Sequence, residues 1–75
     1  MPKMRLEQKK KLMREVSSCV KENLRDKFTQ HECDRITFEF YNDMVRWLGK
    51  KSKHERNRLV AMPLTAIKLV QKENP

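Results

Sequence analysis

Apolar residues recur at helical spacing through the first third of the chain: Leu6, Met13, Val16, Val20, Leu24 and Phe28, with Leu12 and Cys19 widening the same stripe. At about 100° per residue this set falls within roughly half of a helix circumference. No Gly or Pro interrupts it. The pattern predicts an amphipathic helix from about Arg5 to Phe28. Thr29-Gln30-His31-Glu32 then has the form of a capping box, in which Thr29 caps the helix and Glu32 reaches back. It predicts a break near Phe28 and a new helical start near Gln30.

The second segment, about 30–48, carries the densest apolar pattern. Cys33, Ile36, Phe40, Met44 and Trp47 form one stripe, and Phe38, Tyr41, Val45 and Leu48 form a second beside it. Together they cover roughly 200° of a helical wheel, so this helix is expected to lie between two others. Gly49 stands where a left-handed C′ residue belongs. Residues 35–41 also alternate polar and apolar with β-favouring side chains, which is a strand pattern. The helix accounts for more positions, including Cys33, Met44 and Trp47, and it uses the Thr29 cap.

Ser52-Lys53-His54-Glu55 is a second capping-box match and predicts a third helix from about Lys53 to Met62, ended by Pro63. Leu64-Thr65-Ala66-Ile67-Lys68-Leu69-Val70 is apolar enough to be buried. With Pro63 near its first position it reads as a short fourth helix, or else as a strand. The expected fold is therefore all-α, a three- to four-helix domain over residues 1–75 with a core around Phe40, Met44, Trp47 and Leu59. Frayed ends are expected at about 1–4 and 71–75. The alternative is α+β, with strands near 35–41 and 64–70.

Length and charge sharpen this picture. A chain of 75 residues buries only a thin core. The 18 lysines and arginines against 10 acids give a net charge of +8. That charge is uneven: residues 1–27 carry +5, residues 28–48 carry −2, and residues 49–58 carry +4. Such an excess attracts polyanions and says nothing about fold. There is no apolar leader-like run in residues 1–15 and no stretch long enough to span a membrane. The two cysteines, Cys19 and Cys33, then read as reduced thiols of an intracellular protein of the cytoplasm or nucleus.

The sharpest chemical feature is the run Lys50, Lys51, Lys53, Arg56, Asn57 and Arg58 at a predicted helix start. Backbone amides at such an end, with cations and a neutral hydrogen-bonding side chain nearby, suit phosphate. A second basic block, Lys9, Lys10, Lys11 and Arg14, offers further phosphate contacts. Phe38, Tyr41 and Val45, at the edge of the apolar arc, are the candidate protein interface.

Other chemistries find little support. Cys19, His31, Cys33 and His54 lack the spacing of a zinc site, and on a helix His31 and Cys33 point roughly 200° apart. There is no P-loop, no dinucleotide-binding glycine pattern and no HExxH. No catalytic residue, cofactor or metal is expected. The reading is a non-enzymatic nucleic-acid-binding protein, for DNA or RNA, possessing a regulatory or architectural role. The alternative is a protein-interaction or oligomerisation subunit, as a homodimer or with another protein, using the first helix and the aromatic second segment. No membrane partner is expected.

Overall fold

A computed structural model of the chain describes residues 4–73. The architecture is all-α. Four helices follow in order: α1 (Leu6–Leu24), α2 (Gln30–Gly49), α3 (Lys53–Val60) and α4 (Leu64–Glu73). The two segments with strand-like alternation, 35–41 and 64–70, are both helical. Ile36, Phe40, Tyr41, Leu64, Ile67 and Val70 meet the core from helical surfaces, while Phe38 and Leu69 are exposed.

Residues 1–3 and 74–75 of the expected frayed ends lie outside the described residues. Met4, ahead of α1, is buried, and α4 continues through Gln71 to Glu73.

The stop between α1 and α2 is local. The amides of Lys27 and Phe28 both donate to the Leu24 carbonyl, closing a tight turn over the end of α1. Thr29 then caps α2. Its hydroxyl oxygen accepts from the Glu32 amide at 3.2 Å, and Glu32 Oε1 accepts from the Thr29 amide at 3.0 Å. The turn is short, so α1 and α2 pack antiparallel as a helical hairpin.

The end of α2 differs from the expectation. Gly49 is its last helical residue, and no described glycine has positive φ. Lys50 at the C-cap keeps φ −82° and ψ −11°, and its amide donates to the Trp47 carbonyl. The helix tightens into i→i+3 bonds instead of turning left-handed. The second capping box is half-formed: Ser52 Oγ accepts from the Glu55 amide at 3.3 Å, while the Glu55 carboxylate lies 4.0 Å from Lys51 Nζ.

The core is one cluster. Leu12, Val16 and Val20 of α1 meet Cys33, Met44, Trp47 and Leu48 of α2, with Leu59, Val60, Leu64 and Ile67 closing it from α3 and α4. Phe40 is only partly buried against this cluster. Leu12 and Met44 are wholly enclosed, so truncating either to Ala would cost about 2–5 kcal/mol. Three members of the predicted α1 stripe fall outside: Leu6 is 66% exposed, Phe28 is exposed in the turn, and half-buried Met13 does not join the cluster. Leu6 lies on a side of α1 that the core does not cover, and Phe28 lies in the turn after α1.

The α3–α4 corner runs alongside α1 and is tied to it by polar contacts. Gln8 Nε2 donates to Asn57 Oδ1 at 2.9 Å, Lys11 Nζ donates to the Val60 carbonyl at 2.6 Å, and Glu15 Oε1 accepts from the Leu64 amide at 3.3 Å. Each contact spans 49 residues. A constant separation means that the stretch from Asn57 to Leu64 ascends parallel to α1 at the same pace.

Candidate nucleic-acid interface

The basic run at 50–58 is divided by the fold. Arg56 is buried, only 7% exposed, and its Nη1 donates to the Lys51 carbonyl at 3.0 Å. It ties the α2–α3 connection together from inside, where the sequence placed it on a phosphate-facing surface. Asn57 accepts from Gln8 and so joins α3 to α1. Lys51 is half-buried, with Nζ 4.6 Å from the centre of the Trp47 ring. Lys50, Lys53 and Arg58 are exposed.

The block at 9–14 divides as well. Lys11 Nζ donates to the carbonyls of Val60 and Met62 and pairs with Glu15 at 2.8 Å. It caps the α3 C-terminus, where orphan carbonyls and the helix dipole favour a cation. Lys10 and Arg14 are exposed and Lys9 is half-buried. These three line a groove between α1 and α2 whose far wall is Tyr41. Of the other interface candidates, Phe38 is exposed and Val45 is half-buried against the core.

A different set of cations does converge. Arg46 on α2 and Lys50 at its C-cap stand one turn apart, and Lys68 and Lys72 stand one turn apart on α4. All four are exposed, and they line an open cleft of about 480 Å³ between the two helices. Trp47 and Gln71 complete its wall, and Asp43 is its one carboxylate. Among the described residues the ion pairs are Lys11–Glu15 and Lys51–Glu55, so none of the four cleft cations is neutralised. Lys68 Nζ sits 5.3 Å from the centre of the Phe40 ring, which holds the ammonium at the cleft edge.

Only Lys50 of this quartet was a sequence candidate. Arg46, Lys68 and Lys72 stand apart from any basic run. Their signal was the i, i+4 spacing of two cation pairs on separate helices, which becomes a site only once α2 and α4 are adjacent.

The cleft and the α1–α2 groove share no lining residue. Tyr41 and Asp43 are two positions apart and therefore roughly 200° apart around α2. The two cationic surfaces accordingly occupy opposite flanks of that helix and do not form one continuous face.

Remaining polar groups have local roles. Cys33 is buried with Sγ 3.9 Å from the carbonyls of Leu24 and Phe28, and both cysteines are free. His31 and His54 are exposed. The described residues contain no group of three or more His, Cys, Asp or Glu placed to hold a metal. No described helix is long and apolar enough to cross a membrane. Comparison with protein families, curated proteins and solved structures finds no match to this chain.

Proposed function

We propose that this protein binds nucleic acid without catalysis, gripping phosphates with Arg46, Lys50, Lys68 and Lys72, in a regulatory or architectural role inside the cell. The observation that carries the reading is the quartet itself: four exposed, unneutralised cations on one cleft, opposed by the single carboxylate of Asp43.

The cation pairs run along two helices, each pair rising about 6 Å per turn of spacing. That arrangement offers two short rows of donors to a backbone that carries charge at regular intervals. Lys53 and Arg58 are exposed at the α3 end of the molecule and would add long-range attraction. Arg46 and Gln71 are residue types that can read base edges, but cations dominate the cleft, so binding is expected to track charge more than sequence.

The test is fluorescence anisotropy with a labelled single-stranded oligonucleotide and its duplex, over a range of salt. Binding that weakens linearly in log salt, and that is weaker with a shallower salt dependence in a Lys50→Ala/Lys68→Ala variant, supports the reading. Salt-independent binding, or equal binding by the variant, overturns it.

A further inference from the structure

The groove between α1 and α2 calls for a different ligand. Its lining combines apolar Leu6, Met13 and Tyr41 with cationic Lys9, Lys10 and Arg14. It measures about 500 Å³. Phe38, one turn before Tyr41, extends the apolar strip and is 59% exposed. No carboxylate lines the groove.

We infer that this groove is a docking site for an acidic amphipathic helix of a partner protein. Three observations select that occupant. First, the surface is a shallow, open strip along α1 bordered by Tyr41 of α2, a shape along which a helix can lie. Second, the lining runs from Leu6 to Ser17, about 16 Å of α1, the length of three helical turns. Apolar anchors at i, i+3 or i+4, and i+7 of the incoming helix would meet Leu6, Met13 and Tyr41. Third, three lining cations with no acid among them complement carboxylates on the flanks of that helix.

The same charge argues against a second copy of this chain. A two-fold dimer on this face would set Lys9, Lys10 and Arg14 against their own images. The groove stands on the opposite flank of α2 from the cleft, so this inference and the nucleic-acid reading fail or succeed separately.

The experiment uses the full chain, labelled with ¹⁵N, titrated with a synthetic peptide of about 16 residues. The peptide carries Leu or Phe at i, i+4 and i+7 and Glu on both flanks, and a scrambled peptide of the same composition is the control. Amide shifts clustered at Leu6, Lys10, Met13, Arg14 and Tyr41 are expected, with affinity weakened at least tenfold by Leu6→Glu/Arg14→Glu. Both substituted residues are exposed, and an unchanged amide spectrum elsewhere would show that the variant folds. Equal shifts with the scrambled peptide, shifts located elsewhere, or no shift at all would overturn the inference. So would light scattering that shows a dimer abolished by the same double substitution. Binding to vesicles of phosphatidylcholine and phosphatidylserine through these residues, with no response to the peptide, would assign the groove to a lipid surface and overturn it too.

Discussion

Lys11 and Glu15, one turn apart on α1 and paired at 2.8 Å, hold the two ends of the α3–α4 corner at once. The ammonium takes the Val60 and Met62 carbonyls, and the carboxylate takes the Leu64 amide. A cation thus meets a helix C-terminus and an anion meets a helix N-terminus, the favourable sense for both dipoles. Pro63 sits between the two helices, and its carbonyl accepts from Ala66 and Ile67, so Leu64 has the first free amide of α4.

Replacing Lys11 by Met keeps the length of the side chain and removes its donors. The Val60 and Met62 carbonyls then lose this donor, and the Glu15 carboxylate loses its ion pair while keeping the Leu64 amide. The expected loss of stability is about 1–3 kcal/mol, read as a lower midpoint in urea denaturation. Oligonucleotide affinity should stay within about twofold, because this ammonium is already engaged inside the fold. A large loss of affinity with unchanged stability would refute the structural role.

Arg56 should behave in the same way. Arg56→Ala removes the bond to the Lys51 carbonyl and the buried stem of the side chain, for an expected cost of about 2 kcal/mol. Its exposed neighbours Lys53 and Arg58 should each tolerate Ala to within about 0.5 kcal/mol. Thermal melting of the three variants checks the ranking, and equal melting temperatures would contradict the burial of Arg56.

These two residues show where the sequence was readable and where it was not. The apolar periods of Leu12-Val16-Val20 and Cys33-Met44-Leu48 placed the core, and Thr29 with Glu32 placed the start of α2. Such signals are local, complete within a few turns of chain. The role of Lys11 depends on carbonyls 49 and 51 residues away, and that of Arg56 on its burial once the helices pack. Within a run of bases neither differs from an exposed lysine. The quartet at the α2–α4 cleft was equally hidden, since its members are dilute in sequence and gather only in space.

For the cleft, four neutralised phosphates give an expected log K versus log salt slope of about −3.6 on duplex DNA and about −2.8 on a single strand. Lys50→Ala/Lys68→Ala should halve that slope. Asp43→Asn should tighten binding several-fold by removing the one opposing charge. An Asp43→Asn variant that binds more weakly would argue that this carboxylate contributes to the ligand instead of repelling it.

Acid should weaken the start of α2. The Thr29 amide and then the Thr29 hydroxyl hold the Glu32 carboxyl below its usual pKa. A lowered folded-state value means the contribution is present above the ordinary glutamate range and is lost as pH falls through the lowered value. In Glu32→Gln that part of the acid dependence should vanish. Denaturation midpoints measured from neutral pH downward would show a shallower decline than in the parent, and parallel declines would exclude the mechanism.

The thiols should react at separate rates. Cys19 is half-buried and Cys33 is buried, its sulfur facing two carbonyls at the α1–α2 turn. Titration with a disulfide reagent under native conditions should modify one thiol rapidly and the second only as the protein opens. Simultaneous modification would contradict the packing of Cys33.

The constant offset of 49 residues between α1 and its polar partners also dictates an order of events during synthesis. The hairpin of α1 and α2 needs only neighbours close along the chain and can associate early. The bonds from Gln8, Lys11 and Glu15 must wait until Asn57, Val60 and Leu64 have emerged. A nascent chain halted just after Lys50 would leave Leu12 and Val16 uncovered on one side and Glu15 without its amide. Until the final turns arrive, the half-made protein exposes a sticky flank that a chaperone would recognise.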